Sequence, residues 1–128
     1  MKNTITAFLL SFGIGSIVYI SISNYTYTSQ PQATDEYWYI GYPVIILSSM
    51  IFGYFYNNNA WIWPLILIIS QLIMVYIFTT NSDDNLWPIG LLFHMVILIP
   101  CIVVAYVGVF LRKYQIKKRG SAPDIGKK

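Results

Sequence analysis

Residues 61–111 read WIWPLILIISQLIMVYIFTTNSDDNLWPIGLLFHMVILIPCIVVAYVGVFL. Two long apolar runs flank the polar break Asn81-Ser82-Asp83-Asp84-Asn85. The first run carries Gln71, and the second carries His94, the single histidine of the chain. Neither run holds an Asp, Glu, Lys or Arg. An uncharged run of about 20 residues crosses the hydrocarbon core of a bilayer as a helix. A helix suits that medium because it satisfies its own backbone hydrogen bonds. The stretch therefore predicts a transmembrane helical hairpin, with spans at about 61–79 and 86–111.

The same pattern continues toward the N-terminus. Tyr37 to Phe55 is a further uncharged run, with Tyr37, Trp38, Tyr39 and Tyr42 at its start and Tyr54 and Tyr56 at its end. Aromatic residues gather in this way where a helix enters and leaves a membrane. Pro43 falls early enough in the run to be tolerated. The uncharged turn Asn57-Asn58-Asn59 joins this span to the next and predicts that the two are antiparallel neighbours. Ile5 to Ile22 is the first run, about 27 Å long as a helix. It also has features of a secretory signal peptide, with Lys2 before it and Ser21-Ile22-Ser23 after it. The weak basic start and the length of the run favour a retained span. Asn24-Tyr25-Thr26 fits a glycosylation pattern, but it lies close to the membrane and three residues match often by chance.

Composition agrees with this reading. Charged residues make up 10% of the 128 residues, against about 25% in a typical soluble domain. Seven of the eight Lys and Arg residues lie in the tail, residues 112–128, and the eighth is Lys2. Basic residues mark the cytoplasmic side, so both termini are expected there, and four spans return the chain to its starting side. The outer loops then carry Asp35, Glu36, Asp83 and Asp84. The expected fold is an all-α, integral-membrane bundle of four helices over residues 1–111. Its spans lie at about 5–22, 37–55, 61–79 and 86–111, and a basic cytoplasmic tail follows. Pro100 sits mid-span and leaves the carbonyl of Val96 without its usual donor, which predicts a kink near Pro100.

Small residues recur at helical spacing. Ala7, Ser11 and Gly15 form one stripe, and Ser49 and Gly53 form another. Gly90, His94, Ile97, Cys101, Ala105 and Gly108 make one face of the last span, opposite bulky Leu92, Phe93, Val96, Val103 and Phe110. Small residues let helix backbones approach closely in lipid, so these faces are expected to pack on protein. Cys101 reads as one of them; a lone cysteine forms no intrachain disulfide.

The sequence contains no phosphate-binding glycine loop, no His-Glu-x-x-His, no Cys-x-x-Cys and no nucleophile elbow. No ionised side chain lies inside a span, which argues against a proton-coupled pump. What remains is a candidate intramembrane polar cluster of Gln71, His94, Ser16 and Tyr19. In an antiparallel hairpin Gln71 and His94 fall at one depth, about 12 Å below the outer surface of the core. They are expected to hydrogen-bond if their faces meet. The structural reading makes them interhelical adhesive; the functional reading has His94 titrate or bind a ligand.

No cofactor is expected, since haem with two histidine ligands would need a second subunit. Expected partners are the bilayer, another membrane protein or a second copy, and anionic lipid headgroups at the basic tail; nucleic acid is not among them. The leading functional expectation is a non-enzymatic accessory or interaction protein of a bacterial inner (plasma) membrane. The alternatives are a small homo-oligomeric channel or transporter with Gln71 and His94 in its path, and a membrane redox or enzyme subunit using His94.

Overall fold

Long apolar segments without charge wind into helices in the computed structural model, which describes residues 2–27, 34–79 and 87–121. The polar break 81–85, Pro31 and the chain from residue 122 lie outside the described residues. Helix α1 covers Lys2–Thr26, α2 Tyr42–Phe55, α3 Ile62–Thr79 and α4 Trp87–Gly120. All four are long and apolar enough to span a membrane once the turn leading into α2 is counted with it. The described residues hold no strand.

That turn, Tyr37–Gly41, is a single π-helical turn that runs directly into α2. Pro43 explains its position. Proline has no N–H, so the α-helical bond to the carbonyl four residues back cannot form, and a wider turn is easily accommodated there. The amide of Tyr42 bonds instead to the carbonyl of Tyr37, five residues back. Trp38 stands edge-on between Tyr37 and Tyr42, with ring centroids 5.9 and 5.4 Å away.

The helices pack as two same-direction pairs, α1 on α3 and α2 on α4, and α3 against α4 joins the pairs. The direction follows from the partners. Ser11 Oγ donates to the carbonyl of Trp63 at 3.2 Å, across a separation of 52 residues, and Gly15 meets the backbone of Leu67. Gly53 meets the backbone of Ala105, and Ser49 lies beside Cys101. Numbers rise together along both contacts. In each couple one member is small, so one backbone settles against the other.

Spans two and three, expected as neighbours, are antiparallel but touch only lightly. They meet near the Asn57–Asn59 turn, where Trp63 stacks on Phe52 and lies tilted against Tyr56, with centroids 5.9 and 5.1 Å apart. The reason is competition: α2 spends its small face, Ser49 and Gly53, on α4. Asn59 takes a left-handed backbone (φ 55°) that closes this turn, a conformation asparagine tolerates better than most residues.

Helix α4 runs unbroken through Pro100 and on past Arg112 to Gly120. Its 34 residues make a rod of about 51 Å, longer than the hydrocarbon core of about 30 Å. The first part of the tail is thus helical, where the sequence suggested only a basic tail. Arg112 anchors it: its Nη1 donates to the carbonyls of Phe55 at 2.8 Å and Tyr54 at 3.2 Å. These carbonyls close the C-terminus of α2, where a cation satisfies orphaned acceptors and complements the helix dipole. Tyr54 Oη also donates to Gln115 Oε1 at 2.6 Å.

Candidate functional site

Charge-free spans leave only neutral polar groups to do chemistry inside the bundle. Burying such a group without a partner costs free energy, so the position and partner of each one is informative. Gln71 comes from the inner face of α3, next to Ser70 and Leu67, and is fully buried. His94 comes from the same face of α4 as Gly90, Ile97 and Cys101, and is also fully buried. Ser16 and Tyr19, both buried, project from α1. Tyr19 lies against Phe78 of α3, ring centroids 5.9 Å apart.

Gln71 and His94 do not hydrogen-bond to one another. Tyr37 Oη donates to Gln71 Oε1 at 2.9 Å. The sequence placed Tyr37 in an interfacial aromatic belt; instead its ring is buried and its hydroxyl reaches across to α3. Tyr39, two residues on, is exposed. The helical repeat separates them: Tyr37 shares one face with Gly41, Ile45 and Ser49, all buried.

The geometry of His94 fixes its tautomer. Nδ1 lies 2.6 Å from the carbonyl oxygen of Gly90. A carbonyl only accepts, so Nδ1 carries the proton, and Nε2 of the neutral ring is a bare acceptor. Among the described residues Nε2 of His94, Nε2 of Gln71 and Oγ of Ser16 have no hydrogen-bond partner. Two of these orphans are complementary in chemistry. The amide nitrogen of Gln71 is a donor and the imidazole Nε2 of His94 an acceptor.

No protein family, curated protein or solved structure matches the chain.

Three other buried hydroxyls are satisfied within their own helices. Ser49, Ser70 and Thr79 donate to the carbonyls of Ile45, Leu67 and Val75. The described residues contain no group of three or more His, Cys, Asp or Glu that could hold a metal ion.

At Gly15, Gly53 and Gly108 the backbone of another helix lies directly against the small residue. Ala7, Ser11, Gly15, Ser49, Gly53, Gly90, Cys101, Ala105 and Gly108 are all buried. Outward-facing Leu92, Val96, Val103 and Phe110 are each between 58 and 68% exposed. The small face of α4 is therefore occupied by α2 and α3 of the same chain.

The bond between Tyr37 and Gln71 can be weighed directly. Tyr37→Phe leaves Gln71 Oε1 without its donor and is expected to cost about 1 kcal/mol. In a double-mutant cycle with Gln71→Leu, the coupling is expected near the 0.6–1.7 kcal/mol, roughly, found for interhelical hydrogen bonds in membranes. Denaturant titration in detergent micelles measures all the corners. Strict additivity would mean that the contact contributes nothing.

Proposed function

We propose that the protein is a non-enzymatic accessory subunit that binds a membrane partner through the cytoplasmic extension of α4. The carrying observation is the ordered helix that runs past the apolar span to Gly120 and is fastened to α2 by Arg112. This extension is exposed and carries Lys113, Lys117, Lys118 and Arg119. It also presents Tyr114 and Ile116, at 61 and 60% exposure. A rigid basic rod suits docking because little order has to be gained on binding. The small-residue faces favour this assignment less than the sequence suggested, since they are consumed within the chain.

The proposed setting is a bacterial inner membrane with both termini in the cytoplasm, on the strength of the basic tail and the acidic outer loops. A bend of α4 near Pro100 belongs to the same proposal. In a Cys101→Ala background, cysteines placed at Asn58 and Lys118 are expected to react with a membrane-impermeant maleimide from the same side. Reaction from opposite sides would overturn the topology.

The channel alternative draws on the orphaned atoms of Gln71 and His94. Both side chains are sealed inside one chain, so a path between copies would not be lined by them. Purification in mild detergent followed by mass measurement separates these readings. A complex with a second membrane protein, lost when Lys113, Lys117, Lys118 and Arg119 are changed to Gln, is expected. A homo-oligomer that conducts ions would favour the channel, and a lone monomer would defeat the accessory proposal.

A further inference from the structure

The basic end of the bundle contains two spaces that meet. One is a polar hollow of about 440 Å³ between the start of α1, the α2–α3 turn and α4. Thr4, Asn57, Asn58, Asn59 and Arg112 supply its polar lining. The other is an apolar groove of about 460 Å³ along the seam where α1 and α2 touch only lightly. Leu10, Ile14, Ile51 and Phe52 line it, with Ser48 at its side. Phe55 and Tyr56 line both spaces, so hollow and groove adjoin. Each volume falls within the range of about 300–1,000 Å³ typical of small-molecule sites.

The shape is amphipathic, and it is oriented as a lipid is. From Asn3 to Ile14 the groove follows α1 for about 16 Å, close to the depth of one leaflet, about half of the 30 Å hydrocarbon core. Its polar mouth is at the end of the bundle that carries the tail. Charge decides what kind of headgroup fits. Among the described residues no Asp or Glu lines either space. Arg112 spends only Nη1 on the carbonyls of Tyr54 and Phe55. Among the described residues its Nε and Nη2 have no partner, and these two nitrogens form the edge of the guanidinium fork that grips a phosphate bidentately. The carbonyl bonds hold that fork in place. The amides of Asn57, Asn58 and Asn59, all exposed, add donors around it.

We propose that this end of the bundle binds one anionic glycerophospholipid, its phosphate in the Arg112–asparagine hollow and an acyl chain in the groove between α1 and α2. The site is independent of any protein partner. It also differs from diffuse attraction of the tail to headgroups, because it needs Arg112 and the groove rather than Lys117, Lys118 and Arg119.

Native mass spectrometry of the delipidated full chain, titrated with phosphatidylglycerol or phosphatidylcholine, tests it. One tightly retained phosphatidylglycerol is expected, with about tenfold preference over phosphatidylcholine, whose phosphate is the same but whose choline cation is repelled by Arg112 and offers the asparagine amides no hydrogen bond. Arg112→Gln and Asn58→Asp should each lower phosphatidylglycerol retention about tenfold. Leu10→Trp, which fills the groove, should lower retention of both lipids. Changing Lys117, Lys118 and Arg119 to Gln should leave the tight lipid in place. Arg112→Gln also removes the bonds to α2; should that chain fail to fold, Asn58→Asp, which breaks no bond, carries the test. Equal retention of the two lipids, or undiminished retention by folded Asn58→Asp protein, would overturn the proposal. So would a groove found occupied by a helix of another protein.

Discussion

The Gly53→Leu chain is expected to lose about 3 kcal/mol of stability, enough to leave much of it without a native bundle. A side chain at this position has nowhere to go. A β-carbon on Gly53 runs into the backbone of Ala105, and one on Gly108 runs into the backbone of Met50 and Tyr54. Both clashes are with backbone, which cannot turn aside as a flexible side chain can, so α2 and α4 must separate. Separation forfeits close packing, which holds helices together where lipid removes the hydrophobic drive between them. It also draws the carbonyls of Tyr54 and Phe55 away from Arg112. Gly13 supplies the control, since a β-carbon there meets nothing within 4 Å. Gly13→Ala should be neutral or gain up to about 1 kcal/mol from reduced backbone entropy. Loss of helical circular dichroism against denaturant in micelles measures both. Equal stability of the Gly53→Leu and wild-type chains would mean that α2 and α4 do not meet at this point.

The His94→Leu chain is expected to be more stable than wild type, by about 1 kcal/mol. Burial of the bare Nε2 acceptor costs roughly 1–3 kcal/mol in proteins, and leucine removes that cost at similar size. The bond from Nδ1 to Gly90 is also lost, but that carbonyl lies within an intact helix, so the loss is small. A gain of stability would identify His94 as a residue that costs the fold something, as residues at functional sites do. The same titration checks it. A loss of more than about 1 kcal/mol would instead make the histidine a structural hydrogen-bonding group with a real partner at Nε2.

Much of this architecture is legible in the residues because membrane helices are specified by length and by absence of charge. Four uncharged runs give four helices, and the small residues at steps of 3 and 4 mark the faces that are buried. What pairs with what is not legible. Ser11 meets Trp63 and Gly53 meets Ala105, contacts 52 residues apart that no local pattern specifies. The Asn57–Asn59 turn predicts antiparallel spans two and three as neighbours, and they do touch, but the small faces choose same-direction partners. Gln71 and His94 were recognisable as the buried polar residues, since few others lie in the runs. Their bonding was not, because Tyr37 reaches Gln71 across 34 residues of sequence. Arg112 was readable as a topology charge, yet its bonds to α2 depend on how far α4 continues as a helix.

Oxidative cross-linking of the Ser49→Cys chain most directly tests the claim that small faces lock α2 and α4 side by side. Ser49 lies within hydrogen-bonding reach of Cys101, and Cys101 is the single native thiol. Mild oxidation in the bilayer is expected to form an intramolecular disulfide, leaving a monomer whose thiols, probed with maleimide after unfolding in detergent, react only once the disulfide is reduced. Two thiols that stay reactive, or that join only between chains, would contradict the packing of α2 on α4.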